Sequence, residues 1–174
     1  MMLLYLMQHG ASLPSEAAPE EPLSPMGLEQ VEKSAAATAR MAITFDAIIA
    51  SPKLRSRETA ELMARATGFP VSEIRTATEV KAMTPAHQTL ELLDALADAQ
   101  SVLVAGHMPN LARLASLLLT GDDRPRVAVH NAGLMCIEIP GPRSRRGTLA
   151  FSLTPQQLVL IAGNRRVFDS GSLG

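Results

Sequence analysis

The hydrophobic pattern of the chain changes repeatedly between short continuous apolar runs and longer stretches that mix apolar and polar residues. A continuous run of four to eight apolar residues is typical of a strand that is buried on both faces. Such runs predict strands over residues 3–7, 45–50 and 101–105. Two later strands are predicted over residues 127–139 and 148–153, separated by the polar turn "PGPRSRRG".

Helices are predicted between these strands, and residues that favour helix ends mark several of their boundaries. Ser24 is placed to cap a helix that begins at Pro25, because proline is well tolerated in the first helical turn. Gly68 and Gly121 are expected to end two further helices. Three helices follow the first one, and they are predicted over residues 52–67, 85–99 and 109–120. A short strand is expected within residues 71–80.

The order of these elements predicts the fold class. Strands that alternate with helices are typical of an α/β fold with a mainly parallel sheet. The two late strands share a short connection, which favours an antiparallel edge. A chain of 174 residues is long enough for one domain with its own core. We therefore expect one domain over residues 1–163, followed by a polar tail over residues 164–174.

Composition excludes several classes of function. The net charge is −1 and aromatic residues make up only 3% of the chain, which argues against nucleic acid as a partner. No run reaches the roughly 18 apolar residues of a membrane span, so no membrane association is expected. The single cysteine, Cys136, excludes an internal disulfide and is consistent with a reducing compartment. These observations predict a cytoplasmic domain.

Polar residues with chemical potential follow three of the predicted strands. The first strand ends in "QHG", the second in "SPKLR" and the third in "GHMPN". Ligands of open α/β sheets bind outside the carboxyl ends of the strands, so His9, Arg55 and His107 are expected to meet there. Taken singly, each histidine is also consistent with a cap or a surface group, and Arg55 with a solvated helix face. Together, two imidazoles, a guanidinium and helix N-termini are suited to a phosphoryl group.

The motifs of the chain resemble those of the histidine phosphatase superfamily, and most closely its small SixA-type phosphohistidine phosphatases. The resemblance covers nearly the whole chain and depends on the order of five segments: "QHGAS", "PLSPMGLEQ", "SPKLRSRETAELM", "VLVAGHMPNLARLASLLLTG" and "NAGLMCIEI". It implies a phosphoglycerate mutase-like fold, which is a single-domain three-layer α/β/α sandwich whose mainly parallel sheet has an antiparallel edge.

The resemblance also implies a two-step phosphatase mechanism that uses no metal and no other cofactor. His9 would attack phosphorus and become phosphohistidine, and water would then release phosphate. Arg55 and His107 would bind the phosphoryl oxygens and stabilise the developing charge. Gly10 would leave room for the incoming phosphoryl group, with a simple strand-to-loop turn as its alternative role. The two histidines lack a third ligand at metal-binding spacing, so no metal site is expected.

Two positions bear on how active such an enzyme is. Gln8 stands where the superfamily usually has an arginine that binds phosphate; its amide still donates hydrogen bonds but carries no charge. The loss of a charge-assisted bond is expected to cost about 1–3 kcal/mol. Lys53, at the helix start, is a better candidate to replace that charge than Arg57, which points elsewhere on a helix because it lies only two residues from Arg55. Glu79 is the nearest candidate for the acid that larger members of the superfamily use, although the small SixA type does without one.

The leading hypothesis is therefore a phosphohistidine phosphatase that acts on a phosphorylated protein. The chain has no long insertions between its sheet elements, which favours a crevice open to a protein surface. One alternative is a phosphatase for a small phosphoester. The other is a degenerate module that binds a phosphorylated partner without turnover, and Gln8 is its only support in the sequence.

Overall fold

A six-stranded sheet carries helices on both of its faces in the computed structural model, which describes residues 1–141 and 144–163. Its strands are β1 (Met2–Gln8), β2 (Ala47–Ala50), β3 (Arg75–Thr76), β4 (Ser101–Gly106), β5 (Leu134–Ile139) and β6 (Thr148–Leu153). Their order across the sheet is β3-β2-β4-β1-β5-β6. The first four strands in this order are parallel, β5 is antiparallel to β1, and β6 is antiparallel to β5. The predicted parallel sheet with an antiparallel edge is confirmed.

The helix ends follow from the capping residues in the sequence. The five helices are α1 (Pro25–Arg40), α2 (Leu54–Thr67), α3 (Ala86–Asp94), α4 (Asn110–Thr120) and α5 (Pro155–Ala162). The Ser24 hydroxyl accepts a hydrogen bond from the Gly27 amide at 3.0 Å and caps α1. Gly68 and Gly121 end α2 and α4 in the left-handed conformation, which costs glycine least.

The alternation of side chains along the strands creates two separate cores. Leu4 and Leu6 of β1 point to the face that is covered by α3 and α4. Tyr5 and Met7 point to the opposite face, where α1, α2 and α5 pack. Because both faces are covered, the central strands need no polar face, which explains their continuous apolar runs. The result is the predicted three-layer α/β/α sandwich.

Two predicted strands are shorter than the sequence pattern indicated. Of residues 71–80, only β3 pairs with β2, and 3₁₀ turns at Val71–Glu73 and Thr78–Val80 flank it. Of residues 127–139, only β5 joins the ladder in full. The preceding segment turns instead, because Ala132 has a φ of 55°.

One predicted helix is too long, and one helix of the structure was not predicted. The third predicted helix extends to residue 99, but α3 ends at Asp94 because the chain tightens into turns before it enters β4. The helix α5 was not predicted, although its signal is present in the sequence. The Thr154 hydroxyl and the Gln157 side chain form a reciprocal capping box at its start.

The predicted tail over residues 164–174 and part of the turn before β6 lie outside the described residues. Within residues 1–141 and 144–163, none of the helices combines the length and the apolar character that a membrane crossing requires.

The strand register determines where functional side chains meet. Gln8 is paired with Gly106 in neighbouring parallel strands, and Ala50 is paired with Ala105. The residues that follow β1, β2 and β4 therefore leave the sheet side by side at one edge. The candidate site lies at this carboxyl edge, as the topology of open α/β sheets predicts.

Candidate active site

His9 leaves the end of β1 with one ring nitrogen held and the other available. Its backbone amide donates to the Gly106 carbonyl at 3.2 Å, which extends the pairing of β1 with β4. The ring Nδ1 lies 2.7 Å from the Gly10 carbonyl oxygen. A carbonyl only accepts hydrogen bonds, so Nδ1 carries the proton and Nε2 has a free lone pair. His9 as a whole residue is 9% exposed, and this is the tautomer that attack through Nε2 requires.

Arg55 contacts the unprotonated ring nitrogen of His9, Nε2. It lies in the first turn of α2, where its Nε donates to His9 Nε2 at 3.0 Å. A guanidinium remains protonated at all ordinary pH values and has no acceptor atom. The contact therefore confirms the assignment of the His9 proton. It also places a fixed positive charge next to the atom that would attack phosphorus.

His107 completes a pair of imidazoles. Its ring lies 4.8 Å from that of His9, measured between centroids, with an angle of 62° between the planes. Its Nε2 lies 2.5 Å from the Ser51 hydroxyl. That hydroxyl accepts from the Lys53 amide at 3.3 Å, and His107 Nε2 is the acceptor available for its proton among the described hydrogen bonds. A Ser51 hydroxyl that donates to Nε2 places the proton of a neutral His107 on Nδ1.

Burial keeps both imidazoles neutral. Desolvation is the main cause that lowers the pKa of His9 below 6.5, and the positive charge of Arg55 adds to it, while the hydrogen bond to Gly10 acts in the opposite direction. Desolvation also lowers the pKa of His107 to about 4, followed by the effects of His9 and Arg55. Neutral imidazole is the nucleophilic form, so the site is prepared for attack near neutral pH.

A carboxylate that the sequence analysis did not single out reaches the same arginine. Glu21 precedes α1 in the loop that follows β1, and its Oε2 accepts from Arg55 Nη1 at 2.9 Å. The same oxygen lies 3.9 Å from Lys53 Nζ. The hydrogen bond from Arg55 lowers the pKa of the Glu21 carboxyl group. Nothing in the sequence pattern marks this contact, because it joins a loop to a helix 34 residues later.

A cavity of about 220 Å³ opens beside Arg55 and His107. Its lining consists of Lys53, Arg55, Lys81, Ala82, Met83 and His107. Asn110 holds the segment on its far side, because its buried amide donates to the Thr84 carbonyl and to the Thr89 hydroxyl, both at 2.9 Å. The lining of the cavity thus combines three cationic side chains with the apolar side chains of Ala82 and Met83.

Gln8 lies at the edge of this arrangement. Its backbone is fixed, since its carbonyl accepts from the Ala132 amide at 2.9 Å. The side chain is partly exposed, and its amide makes no hydrogen bond within residues 1–141 and 144–163. Asn131 lies beside it and donates to the His9 carbonyl at 2.7 Å. Gln8 as a phosphate ligand stays a prediction.

Glycine at position 10 has a packing role that the sequence pattern did not indicate, and its role in phosphate binding stays a prediction. A Cβ at Gly10 would lie 2.7 Å from the Gly27 carbonyl oxygen and 2.7 Å from Val31 Cγ2. The close approach of α1 therefore requires glycine, whereas the expectation was room for a phosphoryl group. Its amide donates to the Thr59 hydroxyl at 3.2 Å and its carbonyl accepts from His9. Both backbone groups thus bind within the protein.

Glu79 is not brought into this group of residues. Its carboxylate accepts from the Thr78 hydroxyl at 3.3 Å, and no hydrogen bond or ion pair joins it to His9, Arg55 or His107 among the described residues. Its role as an acid stays a prediction. Within the described ranges, no three histidine, cysteine, aspartate or glutamate residues cluster in a way that could hold a metal ion.

Residues 4–84, which include His9 and Arg55, match the model of the histidine phosphatase superfamily (branch 1). The matched range ends before His107. An uncharacterized protein of Picosynechococcus sp. is 29% identical over 138 residues, which cover 77% of this chain and 83% of that protein.

Solved structures of phosphatases share the fold. The protein histidine phosphatase SixA, complexed with tungstate, has a TM-score of 0.80 at 22% identity, covering 90% of this chain and 99% of its own. A phosphoserine phosphatase variant of Entamoeba histolytica, in complex with phosphoserine, has a TM-score of 0.67 at 16% identity, with coverages of 91% and 100%. A mycobacterial glucosyl-3-phosphoglycerate phosphatase has a TM-score of 0.68 at 17% identity, with coverages of 87% and 98%. At these identities the likeness establishes the fold.

Proposed function

We propose that this chain is a metal-independent phosphatase that works through a phosphohistidine intermediate on His9 and removes phosphate from phosphohistidine in a protein. One observation carries the proposal. The His9 Nδ1 proton is held by the Gly10 carbonyl at 2.7 Å, and this leaves the Nε2 lone pair beside Arg55 at 3.0 Å. The arrangement supplies a nucleophile and a positive charge at the same point.

In the first step, the His9 Nε2 lone pair forms a bond to phosphorus while the bond from phosphorus to the leaving nitrogen breaks. The electron pair of that bond returns to the leaving imidazole, which departs as a neutral ring if it entered protonated. Arg55 exchanges its hydrogen bond to Nε2 for bonds to phosphoryl oxygens. The His107 Nδ1–H donates to the same group, because Ser51 occupies Nε2.

In the second step, water attacks phosphorus from the side that the leaving group has vacated. The bond from phosphorus to His9 Nε2 breaks, and its electron pair restores the neutral imidazole. The proton of the water is transferred to a phosphate oxygen or to solvent. None of the steps requires a metal or another cofactor, because the charge is stabilised by Arg55 and by hydrogen-bond donors.

The surroundings of the cavity support a protein substrate. Met83 on the cavity wall is 74% exposed, and the side chain of Lys53 is 55% exposed. An exposed apolar residue next to cationic side chains at the mouth of a site is suited to contact with another protein surface. The small SixA structure that shares this fold is described as a protein histidine phosphatase.

Two specific observations favour a second candidate, a phosphatase of small phosphoesters. The cavity of about 220 Å³ is large enough for a small molecule, and the Entamoeba histolytica and mycobacterial structures of the same fold are named for small phosphorylated substrates. A module that binds phosphate without turnover is the third candidate, and it depends on the missing charge at Gln8.

The proposal is tested with purified protein and a histidine-phosphorylated protein, by measuring the release of phosphate with and without a chelator. We expect release that is unchanged by the chelator and absent in His9→Ala, because no other group takes over the nucleophile. His87→Ala is the matched control, since His87 is exposed on α3. Full activity in His9→Ala, or loss of activity with the chelator and recovery with a divalent ion, would overturn the proposed mechanism. Turnover of small phosphoesters alone would favour the second candidate.

A further inference from the structure

The carboxylate of Glu21 is bound to the guanidinium of Arg55, which a phosphoryl substrate would also need. Arg55 donates through Nε to His9 and through Nη1 to Glu21 Oε2 at 2.9 Å. Phosphoryl oxygens bind a guanidinium through two of its N–H groups in a paired geometry. A substrate at His9 therefore lies near the Glu21 carboxylate, which is already bound to Arg55, the main ligand for the phosphoryl group.

The loop holds Glu21 in this place. Its backbone has a φ of 50°, which a residue other than glycine adopts only when its surroundings determine it. Its amide donates to the Ala18 carbonyl at 2.8 Å. Two residues later, the Leu23 amide donates to Glu58 Oε2 at 2.7 Å, which ties the loop to α2. Glu21 is thus positioned by the fold at both ends of its turn.

The charges at the site show what this carboxylate does. His9 and His107 are neutral, so Arg55, Lys53 and Lys81 supply the positive charges and Glu21 offsets one of them. Gln8 adds none. A phosphomonoester dianion gains one arginine and two lysines but is repelled by the carboxylate. A phosphoryl group on a protonated imidazole brings its own positive charge, which the carboxylate attracts.

We infer that Glu21 is a specificity-determining residue that selects substrates whose phosphoryl group is attached to a cationic leaving group, as in protonated phosphohistidine, over phosphomonoesters of neutral alcohols. The inference rests on the proposed function, because it assumes that the phosphoryl group binds at Arg55. Glu21 determines which of the two substrate classes is favoured.

The chemistry of the leaving group agrees with an ionised Glu21. When the bond between phosphorus and the ring nitrogen of a protonated phosphoimidazole breaks, its electron pair returns to that nitrogen and neutral imidazole departs. This step needs no proton from the enzyme. An alcohol leaves as an alkoxide unless an acid protonates it, and Glu21, which Arg55 keeps ionised, carries no proton to donate. The carboxylate stabilises the cationic substrate and takes no covalent part.

The test compares Glu21→Gln with wild-type protein on two probes, phosphoimidazole and p-nitrophenyl phosphate, and measures tungstate binding to each protein. We expect the ratio of kcat/KM for phosphoimidazole to that for p-nitrophenyl phosphate to fall about tenfold or more in Glu21→Gln, because one carboxylate charge is removed beside the bound group. Tungstate should bind more tightly. Glu20→Gln is the matched control, since Glu20 is its exposed neighbour in the same loop.

The outcomes separate this inference from the function on which it rests. If wild type hydrolyses phosphoimidazole and Glu21→Gln keeps the same ratio and the same tungstate affinity, the inference is wrong and the proposed function stands. If wild type neither hydrolyses a probe nor binds tungstate, both are wrong. Tungstate binding by Glu21→Gln also shows that the variant retains a folded site.

Discussion

The imidazole ring of His9 makes two hydrogen bonds, and it is the donor in one and the acceptor in the other. The Gly10 carbonyl accepts from Nδ1, and Arg55 Nε donates to Nε2. His107 is fixed in a similar way, because Ser51 reaches its Nε2 at 2.5 Å. In each ring the direction of one hydrogen bond determines which nitrogen carries the proton.

Gln8→Arg is expected to strengthen the binding of phosphate or tungstate and to raise turnover by about tenfold to a hundredfold. The reason is that a charge-assisted bond replaces a neutral one, worth roughly 1–3 kcal/mol. Oxyanion binding measured by calorimetry checks this. Gln156→Arg adds the same charge on an exposed position of α5 and serves as the control. Equal affinity in wild type and Gln8→Arg would mean that residue 8 does not reach the phosphoryl group.

Ser51→Ala is expected to lower kcat more than it raises KM. Without the hydroxyl, His107 Nε2 loses its buried donor and the proton is no longer confined to Nδ1. Ser51 acts through His107 and is therefore a positioning residue. Nitrogen NMR of the His107 ring, together with the pH profile of kcat, measures the effect. An unchanged ring tautomer and pH profile in Ser51→Ala would show that Ser51 only packs.

At the scale of residues, the sequence predicted the meeting of His9, Arg55 and His107 because each follows a buried strand at a short, fixed distance. Ser51 also directly follows a strand, so the same signal was available for it. Glu21 could not be found in this way. Its contact with Arg55 depends on how the loop between β1 and α1 folds back, and no periodicity encodes that path.

Helix α1 and the loop before it are pressed against the end of β1. Gly10 and Gly27 make this close approach, since a Cβ at Gly27 would lie 1.8 Å from the Ala11 carbonyl oxygen. The elements themselves were predictable where capping residues and apolar runs coincide, as at Ser24 and Gly68. Residues 71–80 and 127–139 were overestimated as strands. Their apolar residues pack against the core from turns. A hydrophobic pattern along the chain does not distinguish such turns from strands that pair in a sheet.

Gly10→Ala is expected to destabilise the fold by about 1–3 kcal/mol, as other overpacking substitutions do. The added Cβ would lie 2.7 Å from a backbone oxygen of α1, which cannot rotate away. Urea denaturation measures the change in the free energy of unfolding. Gly141→Ala is the control, because a Cβ at Gly141 meets no atom within 4 Å and its φ does not lie in the left-handed region. A Gly10→Ala protein as stable as wild type would contradict the close packing of α1.

At the scale of the whole molecule, the parallel register of β1, β2 and β4 places three strand ends at one edge and buries the two imidazoles there. This burial makes stability depend on pH. The pKa of His107 is lowered to about 4, and that of His9 is lowered below 6.5. In the unfolded chain histidine titrates near 6.5. Between about pH 6.5 and pH 4, the unfolded chain therefore binds more protons than the folded protein.

The free energy of unfolding is accordingly expected to be at its full value above about pH 6.5 and to decrease as the pH falls toward 4. His107→Gln should reduce the slope of this decrease, because it removes one of the two groups that the fold keeps neutral. Denaturant titrations at a series of pH values give the slope. His87→Gln, at an exposed position of α3, should keep the wild-type slope. Identical slopes in wild type and His107→Gln would show that His107 is not held neutral by the fold.

In the proposed mechanism, His9 carries the phosphoryl group during turnover. The most direct measurement mixes wild-type protein with a histidine-phosphorylated donor, quenches the reaction in base within the first turnovers and locates the added phosphate by mass spectrometry. We expect an acid-labile phosphoryl group on His9 that decays as free phosphate accumulates, and none in His9→Ala. Release of phosphate with no phosphoryl group on His9, at quench times shorter than one turnover, would contradict that mechanism.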